Sequence, residues 1–167
     1  ESGSLTLFVE ENVNLNGILK KVMTTGKALA DGKPVRLELD VPDDLPLIRA
    51  DQQRILQILL NMMSNACKFT PAGGAIRLSG RIIGDDVQIT VADNGPGLAS
   101  DVKANVFERF SAQSQAGTRA GAGLGLALVN RFLELHDGWV EIESNNGTLV
   151  RCHIPRRIAE SDRVAYV

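Results

Sequence analysis

Asn61, Asn65 and Lys68 stand at i, i+4 and i+7 in a stretch whose apolar residues recur at helical spacing, so the three side chains leave the same side of one helix. Two amides a turn apart, with an ammonium a further turn on, can hold a metal ion and a phosphate. Amide oxygens are hard ligands suited to Mg²⁺, which keeps most of its waters and is bound through few protein oxygens plus substrate phosphates. The same arc, completed by Arg54, Gln57 and Ser64, also reads as the plain solvated face of an amphipathic helix. Against the plain reading stands the choice of residue, because solvated faces favour Glu and Lys over Asn, a poor helix former.

Two further clusters carry chemistry. Asp93-Asn94-Gly95-Pro96-Gly97 sets a carboxylate at the end of a strand pattern. As turn chemistry it needs no ligand. As a site, Asp93 accepts a hydrogen bond from an adenine amino group while Gly95 and Gly97 let the backbone lie close to the ring; guanine presents a carbonyl there, which a carboxylate repels. Gly121-Ala122-Gly123-Leu124-Gly125 precedes a helix pattern, so free backbone N–H groups at a positive helix end can hold phosphate. Its third glycine comes too early for the dinucleotide fingerprint, and the chain contains no GxxxxGK[ST] and no HRD or DFG tripeptide, which excludes a P-loop and a protein-kinase fold. Phe107 and Phe110 lie three apart on one helical face, the spacing of ordinary core anchors. Residues 111–120 have almost nothing to bury and, flanking a phosphate site, read as a lid.

The elements that position these residues follow from periodicity. Asn14 or Asn16 caps a helix to residue 30; residues 35–41 alternate as a half-buried strand; Asp51 caps a long helix to residue 69, ended by Thr70-Pro71. Strands follow at 75–83 and 87–92 around a Gly84-Asp85-Asp86 hairpin, then a short helix at 102–110, a helix at 124–136, and strands at 139–143 and 149–154. Leu5, Leu7 and Val9 suggest an edge strand, and residues 158–167 receive no assignment. Helices scattered among hairpin-joined strands imply an α+β two-layer sandwich, a mixed sheet with helices on one face.

Composition bounds the function classes. At 167 residues the chain is one domain, and 44% hydrophobic against 23% charged residues argues against disorder. Eighteen basic and twenty acidic residues give a net charge of −2 with no long block of either sign, so nucleic acid is not expected as a partner. The longest apolar run is about half of the roughly 20 residues a membrane-spanning helix needs, and no signal peptide opens the chain. Cys67 and Cys152 form neither a disulfide framework nor a CxxC motif, which fits a reducing cytoplasm.

Taken in order, these segments resemble the catalytic and ATP-binding domain of bacterial sensor histidine kinases, in the GHKL superfamily of gyrase, MutL and a heat-shock chaperone. Residues 61–69 look like the N box, Asp93 to Gly97 like the G1 box, Phe107-Glu108-Arg109-Phe110 like the F box and Gly121 to Gly125 like the G2 box. The resemblance implies the Bergerat fold, a mixed five-stranded sheet backed by three helices. It implies that Asn65 coordinates Mg²⁺ with Asn61 beside it, that Lys68 meets the phosphates and Asp93 the adenine, and that Gly121, Gly123, Leu124 and Gly125 line the triphosphate. Phe107 and Phe110 seat the lid, and Arg109, or Lys103 or Arg119 in its stead, stabilises the γ-phosphate. Hydrolysing members carry a glutamate general base where this chain has Asn61; an amide takes no proton, which favours transfer to another nucleophile.

The implied activity is ATP-dependent transfer of the γ-phosphate to a histidine in two-component signalling. The expected partners are a dimerisation and phosphoacceptor domain of the same protein and a response regulator, in a homodimer. Residues 1–14 are expected to be a junction following an absent dimerisation helix, 15–157 the catalytic domain and 158–167 a tail. The domain is expected to be cytoplasmic and to make no membrane contact, with attachment of the full protein to a membrane left open. Two departures keep a second reading in play, a pseudokinase or regulatory module that retains the fold. The lid is short and poor in basic residues, and His136-Asp137-Gly138-Trp139 replaces the usual His-Gly-Gly, resembling the PleC and DivL branch. An anti-sigma-factor serine kinase is a third, for which the extended start and overall spacing fit less well.

Overall fold

The computed structural model describes residues 6–94, 120–144, 147–158 and 164–166, with the backbone alone described at 120–125 and 164–166. In chain order the elements are β1 (Leu7–Val13), α1 (Leu15–Leu29), β2 (Arg36–Asp40), β3 (Ile48–Ala50), α2 (Gln52–Phe69), β4 (Ala75–Ile83), β5 (Asp86–Asp93), α3 (Ala120–Leu135), β6 (Trp139–Ser144), β7 (Thr148–Pro155) and β8 (Val164–Tyr166). Asn14 starts α1 by accepting the Gly17 N–H at 3.1 Å. Asp51 starts α2 by accepting the Arg54 N–H at 3.2 Å, the standard satisfaction of an orphan donor in a helix's first turn.

Five strands form a mixed sheet in the order β2-β4-β5-β7-β6, parallel only between β2 and β4. Ile76 and Leu78 of β4, Val87, Ile89 and Val91 of β5, and Val150, Cys152 and Ile154 of β7 are buried on the face that carries the helices, alongside the buried stripes of α1 and α2. Gly26 of α1 allows close approach to α2: a Cβ there would stand 2.9 Å from the Leu37 side chain and 3.0 Å from that of Met63. The other face of the sheet is polar. Arg36 pairs with Glu38, Arg77 with Asp40, and Arg151 with Glu141 and Glu143; Trp139 stacks on His153 at 3.8 Å.

A second, three-stranded sheet in the order β3-β1-β8 was not legible in the alternation pattern. β3 has three residues, too few to display a period of two, and β8 lies in the segment left without assignment. The expected strand at Leu5, Leu7 and Val9 is β1, shifted to run on to Val13. The Gly84-Asp85 hairpin has φ +61° at Gly84, the positive first position that a type II′ turn asks for. Phe69, though apolar, is 55% exposed as the last residue of α2.

Helix α3 corrects the expectation at the glycine cluster. It begins at Ala120, four residues before the expected start, so Gly121, Gly123 and Gly125 lie within its first turns and not in a loop ahead of it. Glycine costs about 1 kcal/mol per residue in a helix, which is why the pattern argued for a later start. At the other end, the Gly138 N–H bonds the Leu133 carbonyl at 2.7 Å and the Asp137 N–H bonds that of Glu134 at 3.0 Å. This is a Schellman cap whose C′ residue, Asp137, sits at φ +64°. A Cβ at Gly138 would stand 2.2 Å from the backbone carbonyl oxygen of His153.

Two substitutions at this corner move in opposite directions. Asp137→Gly removes a left-handed strain and is expected to raise stability in urea unfolding by about 0.5–1 kcal/mol. Gly138→Ala collides with backbone that no rotamer change relieves and is expected to lower it by about 1–3 kcal/mol or more.

Candidate functional site

Helix α2 turns Ile55, Ile58, Leu59, Met62, Met63, Ala66 and Cys67 into the core. Asn61, Ser64 and Asn65 are half-buried at the edge of that face and Lys68 is exposed. The guanidinium of Arg54 lies over the Phe132 ring of α3 at 4.9 Å. Seven and eleven residues further along α2 come Asn61 and Asn65, each within about 20° of Arg54 around the axis at 100° per residue, so both amides leave the helix on the side of α3.

Phe132 and His136, at the end of α3, meet Arg54 and Asp51, at the start of α2, so the two helices run antiparallel. Seven and eleven residues back from Phe132 stand Gly125 and Gly121. Equal travel along each helix, about 10 Å and about 16 Å, sets the backbone at Gly125 level with Asn61 and that at Gly121 level with Asn65. The first turn of α3, where backbone N–H groups lack helical partners, is thus level with Asn65, and the turn after it with Asn61.

The Asn65 Nδ2 is buried without a hydrogen-bond partner among the described residues. A half-turn of the amide exchanges Nδ2 with Oδ1, so either a donor or an acceptor can face a ligand. An unpaired buried polar atom costs about 1–3 kcal/mol, a cost that a bound polar group removes. The donor set fits Mg²⁺ held through an amide oxygen together with phosphates. Among the described residues no three His, Cys, Asp or Glu side chains converge.

The C-terminal ends of α2 and β5 meet. A Cβ at Gly74 would lie 2.5 Å from Thr70 and 2.9 Å from Asn94 Oδ1. Asn94 Oδ1 accepts the Ala75 N–H at 2.8 Å, and its own N–H donates to the Ala75 carbonyl at 3.2 Å, which closes the end of the sheet. Asp93 is half-buried, in register with Ile76 and Thr148. Gly147 packs against it so closely that a Cβ would stand 2.1 Å from the Asp93 carbonyl oxygen. Thr70 Oγ1 is buried with no partner among the described residues, a polar group the sequence pattern did not single out. Gly95, Gly97, Lys103, Phe107, Arg109, Phe110 and Arg119, with the expected helix at 102–110 and the lid, lie outside the described residues, as does the side chain of Leu124.

Both histidines are engaged within the fold. His136 is fully buried; its Nδ1 lies 2.8 Å from the Phe132 carbonyl and its Nε2 3.1 Å from the Asp51 nitrogen. The backbone N–H must donate to Nε2, which leaves the proton on Nδ1 and the ring neutral. Burial holds the pKa of His136 below its ordinary value against the raising influence of the Phe132 carbonyl, Asp51 and Asp137. His153 lies under Trp139 with Nε2 3.1 Å from Glu141. Both thiols are buried, and burial pushes that of Cys152 up to about 12. Among the described residues no helix is long and apolar enough to cross a membrane.

A mixed five-stranded sheet with helices on one face, and half-buried amides along one edge of α2, is the architecture of the GHKL class of ATPase domain. Residues 50–158 match the family of histidine kinase-, DNA gyrase B- and HSP90-like ATPases, and the chain belongs to it. It is 36% identical over 159 residues to the sensor protein DivL of Caulobacter vibrioides, covering 93% of this chain and 20% of DivL. It is 34% identical over 153 residues to the adaptive-response sensory kinase SasA of Prochlorococcus marinus, covering 89% of this chain and 41% of SasA. The crystal structure of full-length ShkA in complex with AMPPNP is similar at a TM-score of 0.79 and 35% identity, over 95% of this chain and 33% of ShkA. The chain spans well under half the length of these relatives.

The neutral His136 gives stability a pH signature. The unfolded chain takes up this proton near pH of about 6.5, the folded chain only at lower pH. Between the two the unfolded state binds more protons, so stability rises with pH and is lost as pH falls through that window. The urea midpoint is expected to drop between about pH 7.5 and about pH 5.5, and to drop less in His136→Gln.

Proposed function

We propose that this chain binds Mg-ATP between α2 and α3 and hands the γ-phosphate to a histidine on a separate dimerisation domain, in two-component signalling with a response regulator. The observation that carries this reading is the buried, unpartnered Nδ2 of the half-buried Asn65, on the α3 side of α2 and level with the first turn of α3. Membership of the ATPase family and likeness to ShkA, solved with AMPPNP, support the choice of nucleotide.

In this reading Asn65 presents an amide oxygen to Mg²⁺ with Asn61 beside it, and Lys68 reaches the phosphates from the exposed end of the same helix. Bound Mg²⁺ supplies neutralisation of the charge on the transferring phosphoryl group. The orphan first-turn N–H groups of α3, that of Gly121 among them, point toward the phosphates, with Gly123, Leu124 and Gly125 lining the turn that follows. Asp93 accepts from the adenine amino group, with Gly95 and Gly97 beneath the ring. Phe107 and Phe110 seat the lid, and Arg109 stabilises the γ-phosphate. Asn61 orients but takes up no proton, so water is not activated and the nucleophile comes from elsewhere. Neither His136 nor His153 can be that nucleophile, since each ring is buried and already engaged. In this reading, which follows the family resemblance, the acceptor is a histidine of the dimerisation domain.

Isothermal calorimetry is expected to show Mg²⁺-dependent ATP binding that is stronger than GTP binding. Asp93→Asn should weaken it by about 10-fold to 100-fold, the loss of one hydrogen bond to a charged acceptor. Asn65→Ala should abolish the Mg²⁺ dependence while the circular dichroism spectrum stays unchanged. Supplied with a histidine-bearing dimerisation fragment and labelled ATP, the chain should produce acid-labile, alkali-stable phosphate. Nucleotide binding without that product points instead to a regulatory module that signals without transfer.

A further inference from the structure

At the end of α2 remote from Asn65, one residue ties three elements together. Asp51, 4% exposed, donates its N–H to Nε2 of His136 at 3.1 Å, accepts the Arg54 N–H on Oδ1 at 3.2 Å, and accepts the Phe8 N–H on Oδ2 at 2.9 Å. Phe8 belongs to β1, Arg54 to α2, and His136 follows the last residue of α3. The ring of His136 is locked by its own bond to the Phe132 carbonyl at 2.8 Å, so Nε2 cannot turn to follow a displaced partner. The Arg54 guanidinium rests on Phe132 one turn away and donates to Gln57 Oε1 on its own helix at 3.1 Å.

We propose that the Asp51–His136 pair couples the nucleotide site to β1, a coupling that rests on the reading of α2 and α3 as the two walls of that site. A ligand held by Asn61 and Asn65 on one helix and by the first turn of the other fixes the axial offset of α2 against α3. The Asp51–His136 bond reads the same offset at the opposite end of the same helix pair. Hydrogen bonds weaken steeply outside their narrow range of length and angle, so a slide of about 1 Å between the helices breaks it. Asp51, tied to α2 through the Arg54 N–H, then shifts with that helix and strains its Oδ2 bond to the Phe8 N–H, and β1 loosens there. Linkage makes the effect reciprocal: tightening β1 against Asp51 raises nucleotide affinity by the factor with which nucleotide tightens β1. Asp51 and His136 are positioning residues here, since neither touches the nucleotide.

Amide hydrogen exchange on the 167-residue chain, with and without Mg²⁺ and AMPPNP, tests this. Saturation is expected to slow exchange at Phe8 at least about fivefold, the low end of measured couplings, beyond the slowing that ligand stabilisation imparts to β6. His136→Phe removes the acceptor and should abolish that excess, whereas His136→Gln, whose amide carries both a donor and an acceptor, should restore it. Asp51→Ser keeps a helix cap but cannot reach Phe8; it should lose the excess and weaken AMPPNP binding by the same factor. Should His136→Phe fail to fold, Asp51→Ser decides. Calorimetric binding of AMPPNP with no excess at Phe8, or an excess that survives in Asp51→Ser, overturns the coupling and leaves the nucleotide reading standing. No binding to the parent chain overturns both.

Discussion

Everything in this domain depends on how α2 divides its eighteen residues between two demands. One face must be apolar enough to seat the helix on the sheet, because helices of this length draw most of their stability from tertiary burial and not from propensity. The adjoining edge must keep amides where a core would normally be closed. The result is a helix whose seven buried side chains leave Asn65 partly enclosed with an unmatched nitrogen. That defect is tolerable only because the surrounding burial is large, and it is the kind of local inconsistency that marks a site.

Around that helix, close backbone contacts are built with missing side chains. Gly26 lets α1 approach α2, Gly147 lies against the Asp93 carbonyl, and Gly138 lies against the His153 carbonyl. The wall formed by β5 is thereby set relative to α2 by the ends of both, at Thr70, Gly74 and Asn94.

The parts legible in the sequence were those with long local signals. α2 announced itself through its period and through Asp51 and Thr70-Pro71 at its ends, and the β4–β5 hairpin through Gly84. Asn61 and Asn65 stood out because asparagine is a poor choice for a solvated helix face. What stayed hidden was short or distant. β3 and β8 have three residues each, below the length at which alternation can be seen. The start of α3 was obscured because its glycines oppose helix formation locally, whereas its placement is imposed by packing on α2. Asn94 was visible as turn chemistry, yet its partner is the Ala75 N–H, nineteen residues away. His136 and Asp51 are separated by 85 residues, and no spacing rule connects them.

The pairing of β1 with β8 has a mechanical side. The strands are parallel, with Leu7 beside Val164 and Val9 beside Tyr166, so a pull on the chain before Leu7 against a pull on the chain after Tyr166 acts along the strands. All three residue pairs are then loaded in shear together, in contrast to a hairpin that unzips one rung at a time. A force applied along the strands at Leu7 and Tyr166 would therefore be borne first by this small sheet and by the β1–β3 ladder beside it.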